Sequence, residues 1–266
     1  MGDQPAILAL RLAGPLQAWG RPSEANRRET ASAPSKAGIV GLLAAARGIR
    51  RWEPIDDLVG LRLGVRIDQP GLLLRDYHTV SESVSHLPLL SVAVDAKGRQ
   101  RRTSPKKFTG VTQRFYLQDA VFVVCVQGVS SLIGSLADAV ARPAFPLALG
   151  RRSCVPTQPI LLGPSATDRV WHGSSLLEVL CRVPWQGWTK DRVSSGDDVC
   201  RRVPAVVDAD VAPEGYVETV NDVPTSFDQR NRTFGYRDVS HIWVDVPAAP
   251  DSKPAAVHGF AYLGGS

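Results

Sequence analysis

The most chemically distinctive residues of this 266-residue chain are seven basic side chains in one short segment. The segment runs from Asp95 to Tyr116, and its cations are Lys97, Arg99, Arg101, Arg102, Lys106, Lys107 and Arg114. Because Asp95 is its sole acid, the segment carries +6, whereas the whole chain carries +5 and the remainder therefore carries −1. Positive charge concentrated in this way predicts an element that binds a polyanion. A basic surface loop without function is the alternative.

Aromatic residues accompany these cations, which favours single-stranded nucleic acid as the polyanion. Phe108 follows Lys106 and Lys107, and Phe115 and Tyr116 come directly after Arg114. Cations neutralise phosphates, and aromatic faces stack on unpaired bases for about 1–3 kcal/mol each. Since neighbours on a strand point to opposite faces, one of Phe115 and Tyr116 should lie in the core. We predict that Tyr116 is the exposed member of the pair and contacts RNA.

Basic residues elsewhere in the chain could extend such a site. Lys36 falls in the first turn of a predicted helix, where free backbone N–H groups and the helix dipole favour an anion. An ordinary solvated lysine is the alternative. Guanidinium groups hold phosphate in a bidentate fork, which suits arginine pairs on loops. Two such pairs occur, Arg27–Arg28 on a long loop and Arg151–Arg152 after Gly150.

Catalytic chemistry has weaker support in the sequence. Metal-independent RNA cleavage needs a general base near the 2′-hydroxyl and a group that stabilises charge. His78 beside Tyr77 is the best candidate, with Lys106 or Lys107 as the cation, although a histidine in this setting is more often structural. The histidines show no metal-ligand spacing, and the four cysteines form no Cys-x-x-Cys pair. We predict no catalytic residue, no metal and no cofactor, with an endoribonuclease as the alternative.

Hydrophobic periodicity predicts the elements that position these residues. In order, they are a strand at 6–12, a helix at 35–47 started by Pro34 and Ser35 and stopped by Gly48, strands at 61–67, 72–80, 112–117 and 119–126, a helix at 130–141 started by Ser130, and a short apolar strand at 147–150. This order is typical of a ferredoxin-like, or RNA-recognition-motif-like, domain. The basic segment then becomes a hairpin inserted at about 81–113, with its tip at Lys97–Gly98.

Beyond residue 153 the periodicity weakens, because prolines divide the chain into short pieces. We expect a helix near 174–181 and short strands at 216–220, 241–246 and 257–262. The predicted fold is thus α+β. A ferredoxin-like palm spans 1–153 and carries the basic hairpin thumb, and a smaller, loop-rich and β-rich C-terminal region spans 154–266.

Two glycines in the first predicted helix indicate close packing. Gly38 and Gly41 lie three residues apart, and each would weaken a helix on an open surface by about 1 kcal/mol. We therefore expect this helix face to press on a backbone, either of protein or of RNA.

Composition excludes several other classes of protein. The chain is 44% hydrophobic and 21% charged, which is ordinary globular composition. Its apolar runs are too short for a membrane span, and Asp3 and Arg11 argue against a secretory signal. We expect a cytoplasmic protein with reduced thiols and no membrane partner.

Several sequence blocks resemble one known family. They are LRLAGPLQAWG at 10–20, PSKAGIVGLLAAA at 34–46, DYHTV at 76–80, RFYLQDA at 114–120, LGRRSC at 149–154 and VPTSFD at 223–228. Blocks of this kind, in this order, are similar to those of the CasD family. Its members are subunits of type I-E CRISPR Cascade complexes and belong to the repeat-associated RNA-binding superfamily.

The resemblance implies a ferredoxin-like palm, a hairpin thumb and binding of the 5′ handle of CRISPR RNA. It also implies contact with the backbone subunit and the large subunit of the complex, and with target DNA only through that complex. Relatives in another CRISPR subtype cleave repeat RNA, whereas in type I-E a different subunit does so, and this implies a non-catalytic binder. A structural adaptor whose hairpin meets an acidic protein is a further alternative. The predicted RNA-binding residues are Arg27, Arg28, Lys36, Arg99, Arg101, Arg102, Lys106, Lys107, Arg114, Tyr116, Arg151 and Arg152.

Overall fold

Thirteen strands and four helices occupy the residues that the computed structural model describes, which are 4–20, 26–81, 109–187, 200–212, 214–228 and 230–247. The strands are β1 Pro5–Ala13, β2 Leu16–Gln17, β3 Trp19–Gly20, β4 Arg27–Arg28, β5 Thr30–Ala31, β6 Arg62–Gln69, β7 Leu72–Ser81, β8 Thr109–Gln118, β9 Val121–Val129, β10 Trp171–His172, β11 Arg201–Asp208, β12 Tyr216–Ser226 and β13 Thr233–Val246. The helices are α1 Lys36–Arg47, α2 Asp56–Val59, α3 Ser130–Ala141 and α4 Leu176–Arg182. The fold is therefore a mixture of α and β structure, as the periodicity predicted.

Seven of these strands form one antiparallel sheet in the order β10-β1-β9-β6-β11-β13-β12. Strand β1 shows how the sheet is buried on both faces. Its Leu8, Leu10 and Leu12 pack in the core that contains α1 and α3, whereas Ile7 and Ala9 pack with α4 on the opposite face. Alternation along a strand, with period two, therefore places one layer of helices on each side of the sheet.

The first helix follows the sequence signals closely. The hydroxyl of Ser35 caps α1 by accepting the N–H of Gly38 at 3.2 Å, and Gly48 ends the helix in a left-handed conformation with φ of +79°. The predicted range of α3 is also confirmed, but its N-cap is Val129 and not Ser130. Residues 147–150 do not form the predicted strand; the outer strand next to β1 is β10.

The C-terminal region extends the same sheet. Strand β11 pairs with β6 and β13, and β13 pairs with β12, so the sheet continues across the predicted boundary at 153. Strand β11 was not predicted, and the predicted strand at 257–262 lies outside the described residues. Helix α4 begins with a capping box between Ser175 and Glu178, and it covers the face opposite α1.

A two-stranded ribbon, β7 with β8, projects the chain toward the basic segment. The strands pair from Leu72 opposite Gln118 to Ser81 opposite Thr109. Strand β8 also pairs with β2 and β4. Most of the predicted thumb at about 81–113, including its tip, lies at 82–108, outside the described residues.

A buried arginine of β6, Arg66, pairs with Asp68 of the same strand and hydrogen-bonds to the end of α4. The carboxylate of Asp68 accepts Nε of Arg66 at 2.6 Å and Nη2 at 2.9 Å, and both side chains are 0% exposed. Arg66 also donates to the carbonyl oxygens of Leu180, Val183 and Pro184, at the C-terminal end of α4. This one guanidinium therefore satisfies carbonyls that the helix leaves unpaired and fixes α4 on the sheet.

The helix glycines face side chains and not the predicted backbone. A Cβ on Gly38 would lie 2.7 Å from Cε3 of Trp19, whose ring is fully buried. A Cβ on Gly41 would lie 3.7 Å from Cζ of Phe227, which is ordinary contact. Close packing is thus confirmed at Gly38 and absent at Gly41.

This difference predicts opposite effects for two alanine substitutions in α1. Gly38→Ala should lower the unfolding free energy by about 1–2 kcal/mol, because overpacking against Trp19 outweighs the gain of about 1 kcal/mol in helix propensity. Gly41→Ala should raise it by about 0.5–1 kcal/mol. Urea denaturation of both variants measures the two changes. An equal increase in the unfolding free energy of both variants would show that the Trp19 ring moves aside without an energetic cost.

Candidate nucleic-acid interface

An open cleft of about 1180 Å³ is lined by α1, the loop after it, the loop at 145–152 and the C-terminal β12–β13 connection. Gly38 and Gly41 belong to α1, whereas Phe227 and Arg232 belong to the β12–β13 connection and Phe234 to the start of β13. Elements from both halves of the chain thus bound the cleft.

Positive charge dominates the cleft. Among the described residues that line it, six are arginines: Arg28, Arg50, Arg51, Arg151, Arg152 and Arg232. The lining also contains Glu29 and Asp222. Glu29 pairs with Arg27 at 2.9 Å and Asp222 with Arg237 at 2.7 Å, and neither of these arginines lines the cleft. The two carboxylates are thus neutralised from outside, and the cleft keeps a net attraction for anions.

Three of these arginines act on one another. Burial lowers the pKa of the Arg232 guanidinium, and the like charges of Arg51 and Arg28 lower that pKa further. The positive charges of Arg51 and Arg28 therefore repel that of Arg232, and a bound anion would relieve this repulsion. Arg232 also lies over the ring of Phe234, with Cζ 5.2 Å from the ring centroid.

Aromatic rings accompany the charges inside the cleft. Phe145, Phe227 and Phe234 line it with part of each ring exposed, and the buried Trp19 lies beneath α1. Beside the cleft, Arg50 lies over the exposed ring of Trp52, with Cζ 5.4 Å from the centroid. Cations together with accessible ring faces suit single-stranded nucleic acid, in which phosphates and unpaired bases are both available.

Arg151 has a structural role in the wall of this cleft. It donates Nη1 to the carbonyl oxygen of Phe115 at 3.0 Å and Nη2 to that of Arg28 at 2.8 Å. Its Cζ lies 4.5 Å from the ring centroid of Tyr116. The predicted bidentate phosphate fork at Arg151 is thus occupied by carbonyl oxygens of the chain itself. Arg152 is exposed and lines the cleft.

The expected exposure of Tyr116 is wrong. Tyr116 is 6% exposed and packs in the core beneath Arg151, whereas its neighbour Phe115 is half-buried. Arg27 is exposed and lies over the Phe115 ring at 5.1 Å. The alternation along β8 was foreseen, but the sequence could not say which face of this strand meets the core.

The predicted anion site at the start of α1 is also corrected. Asp222 of the chain itself accepts the backbone N–H of Lys36 at 2.7 Å. The Lys36 ammonium is buried 4.0 Å from Asp208, and burial lowers its pKa although Asp208 raises it. Arg237 bridges Asp208 and Asp222. The helix end does bind an anion, but that anion is a carboxylate, so Lys36 is not open to RNA in this arrangement.

Arg114 lies on β8 opposite Asp76 of β7, and its Nε is buried without a hydrogen-bond partner. The other predicted cations of the thumb, Arg99, Arg101, Arg102, Lys106 and Lys107, fall outside the described residues. Of the predicted set, the structure thus brings Arg28, Arg151 and Arg152 to one cleft.

Comparison with known proteins assigns the family. The family described as CRISPR-associated protein (Cas_Cas5) matches residues 7–240, which is most of the chain. The chain belongs to the Cas5/CasD family of CRISPR-associated proteins. It is 36% identical over 176 residues to the CRISPR system Cascade subunit CasD of Escherichia coli (strain K12), a match covering 59% of this chain and 70% of that protein.

Solved structures agree with the family assignment. A chain of a CRISPR RNA-guided surveillance complex is 34% identical and superposes with a TM-score of 0.67, covering 91% of each chain. A second structure, a crystal structure of a Cas protein, is 32% identical with a TM-score of 0.62, covering 92% of this chain and 99% of its own. None of the described helices combines the length and apolarity needed to cross a membrane.

Several residues that line the cleft were not predicted from the sequence. Arg50 and Arg51 follow α1, Phe227 and Arg232 belong to the β12–β13 connection, and Phe234 belongs to β13. The adjacent arginines after the helix were a usable signal, and Phe227 lies in one of the blocks that resemble the family. Their joint position depends on the pairing of β11 with β6, which the periodicity did not predict.

Proposed function

We propose that this chain is a non-catalytic RNA-binding subunit that captures the 5′ handle of CRISPR RNA. In this role it caps one end of a type I-E Cascade surveillance complex, contacts the backbone and large subunits, and meets target DNA only through the complex. The observation that carries the proposal is the cleft lined by arginines and aromatic rings, in a relative of a Cascade subunit.

The order of the elements supports a ferredoxin-like palm for this subunit. Along the chain the elements run β1, α1, β6, β9, α3 and β10, and across the sheet the four strands lie in the order β10-β1-β9-β6. This is the arrangement expected of two βαβ-type halves that share one antiparallel sheet. We propose that this subunit carries the basic thumb, most of which falls at 82–108, outside the described residues.

The chemistry of the cleft fits unpaired RNA better than a duplex. Phosphate contacts of its arginines would supply affinity without sequence preference, and the rings of Phe227 and Phe234 could stack on bases only if those bases are unpaired. A 5′ handle, which is single-stranded, presents both groups. Binding should therefore weaken with salt by about 0.7 units of log affinity per unit of log salt for each neutralised phosphate.

A gel-shift experiment tests the proposal. The full chain is incubated with a labelled oligoribonucleotide that carries the repeat-derived 5′ end, and with a duplex of the same sequence, with and without magnesium. We expect a shifted band with the single strand, a weaker one with the duplex, and no cleavage product. A specific product that disappears in His78→Ala would instead identify an endoribonuclease. Absence of any salt-dependent shift would favour the structural adaptor.

Removal of the thumb cations should weaken RNA binding without unfolding the chain. The test variant carries alanine at all three of Arg99, Arg101 and Arg102. We expect its affinity for RNA to fall at least tenfold. The slope of log affinity against log salt should fall by about 2, since each phosphate contact contributes about 0.7. Thermal unfolding should remain unchanged if these cations lie on a surface hairpin, as the sequence predicts, because surface charges rarely carry stability. The matched control changes three exposed arginines away from the cleft to alanine, Arg62, Arg142 and Arg169. Equal affinities of the two triple variants would contradict a role for the thumb.

A further inference from the structure

We infer that Arg28, Arg51 and Arg232 form one phosphate-binding cluster and that the RNA strand passes between them, so that the C-terminal β12–β13 connection is part of the RNA site. This inference rests on the proposed function and adds to it. It assigns internal phosphates of the RNA as the ligand and gives a binding role to the region after residue 153.

The three arginines come from three separate segments. Arg28 belongs to β4, Arg51 follows α1, and Arg232 immediately precedes β13. All three line the same cleft, and Arg51 and Arg28 are close enough to Arg232 for their charges to lower its pKa. Cations from separate segments that share one cleft can contact successive phosphates of one strand.

The carboxylates in the cleft do not explain this convergence. Glu29 is paired with Arg27, and Asp222 is held by Nε and Nη2 of Arg237 at 2.7 and 2.9 Å. Asp222 also accepts the N–H of Lys36. Both carboxylates among the described residues that line the cleft are thus engaged elsewhere, and we infer an external counter-ion for the three guanidinium groups. Phosphate fits best, because a guanidinium presents paired N–H donors to two phosphate oxygens.

The wall that carries Arg232 is held in place by buried charges. Arg237 of β13 bridges Asp222 of β12 and Asp208 of β11, and Asp222 reaches the first residue of α1. The β12–β13 pair is thereby fixed relative to α1, and the width of the cleft is set without a ligand. A preformed site of this kind loses little conformational freedom on binding.

Two rings beside the cluster support a polymer over a small anion. Phe234 lies beneath Arg232, and Phe227 reaches toward α1, where a Cβ on Gly41 would be 3.7 Å from its Cζ. Inorganic phosphate would use the arginines alone. A nucleotide strand could use the arginines for its phosphates and the rings for its bases.

Two substitutions on the same turn test the inference. Arg232→Gln removes a cation from the cleft, whereas Arg230→Gln removes an equal charge two residues away, from an exposed side chain that does not line it. We expect Arg232→Gln to weaken binding of the single-stranded, repeat-derived oligoribonucleotide about tenfold and to lower the salt slope by about 0.7. Arg230→Gln should match the unmodified protein. Arg51→Gln, a second variant on the loop after α1, should repeat the effect of Arg232→Gln.

The outcomes separate this inference from the proposed function. Suppose that the unmodified protein binds RNA and that Arg232→Gln and Arg51→Gln both bind it as tightly as Arg230→Gln does. The inferred cluster then does not bind the RNA, and the proposed function stands. If the unmodified protein does not bind RNA, both fail. The same titration with 5′-phosphorylated and 5′-hydroxyl RNA should give equal losses in Arg232→Gln. If Arg232→Gln lowered the affinity for the 5′-phosphorylated RNA alone, the cluster would bind a terminal phosphate. If millimolar inorganic phosphate competed fully with the RNA, the cluster would bind a free phosphate. Either result would overturn internal phosphates as the ligand.

Discussion

Changing Arg66 to methionine is expected to lower the unfolding free energy by about 3–5 kcal/mol, because it leaves the carboxylate of Asp68 buried without its cation. The same change removes donors from the carbonyl oxygens of Val183 and Pro184, which lie 2.6 and 3.0 Å from the guanidinium. Helix α4 would then lose these hydrogen bonds to β6 and keep only its apolar packing on the sheet. Domains of this size are stable by only about 5–15 kcal/mol, so most of the protein should be unfolded at moderate urea concentrations.

A second arginine on the same strand provides the control. Arg62 begins β6 and pairs with Asp210 at 2.7 Å, but more than half of each side chain is exposed. Exposed pairs contribute about 0–1 kcal/mol, so Arg62→Met should shift the urea midpoint only slightly. Equal shifts in the two variants would show that the Arg66–Asp68 pair is not dehydrated in solution.

Changing Gly150 to alanine should be comparably damaging and should also abolish the RNA site. Gly150 has φ of +88°, and a Cβ there would lie 1.8 Å from the carbonyl oxygen of Ala18. The loop cannot retreat easily, because Leu149 accepts the N–H of Ala18 at 3.1 Å and Arg151 holds two further carbonyls. The left-handed conformation costs about 1–3 kcal/mol and overpacking about 1–3 kcal/mol more, so we expect a loss of about 2–6 kcal/mol.

Gly173 separates the two costs in this substitution. It also has a positive φ, +67°, but nothing lies within 4 Å of its Cβ position. Gly173→Ala should therefore cost only the backbone part, about 1–3 kcal/mol, and leave RNA affinity unchanged. The measurements are urea denaturation and the gel shift with single-stranded RNA. A Gly150→Ala protein that is as stable as Gly173→Ala and binds RNA normally would contradict the close packing of this loop.

Local sequence signals determined most of the elements in the N-terminal half. Alternating leucines specified β1, Ser35 and Gly48 specified the ends of α1, and apolar residues at helical spacing specified α3. These signals succeed because the residues that satisfy each other are a few positions apart. The same logic found α4 from its own spacing, even within the proline-rich C-terminal region.

The sequence also located the exceptional positive charge and the blocks typical of the Cas5/CasD family. It did not decide which basic residues are open to a ligand. Lys36 and Arg151 have the right chemistry for phosphate, but Asp208 neighbours one and carbonyl oxygens engage the other. Their partners are at least 30 positions away along the chain, so no local pattern reveals them.

The cleft itself was decided by the tertiary structure. Arg28, Arg51 and Arg232 lie far apart along the sequence, and they converge because β11 joins β6 and carries β12 and β13 to the side of α1. Strand β11 buries Val203, Ala205 and Val207 in alternation, but the residues between them, Pro204 and Val206, are also apolar, so its sequence shows no polar–apolar alternation. The sequence by itself thus determined the local elements, the surplus charge and the family. Long-range strand pairing decided which charges share a site, because such pairing is fixed by contacts that only the folded sheet brings together.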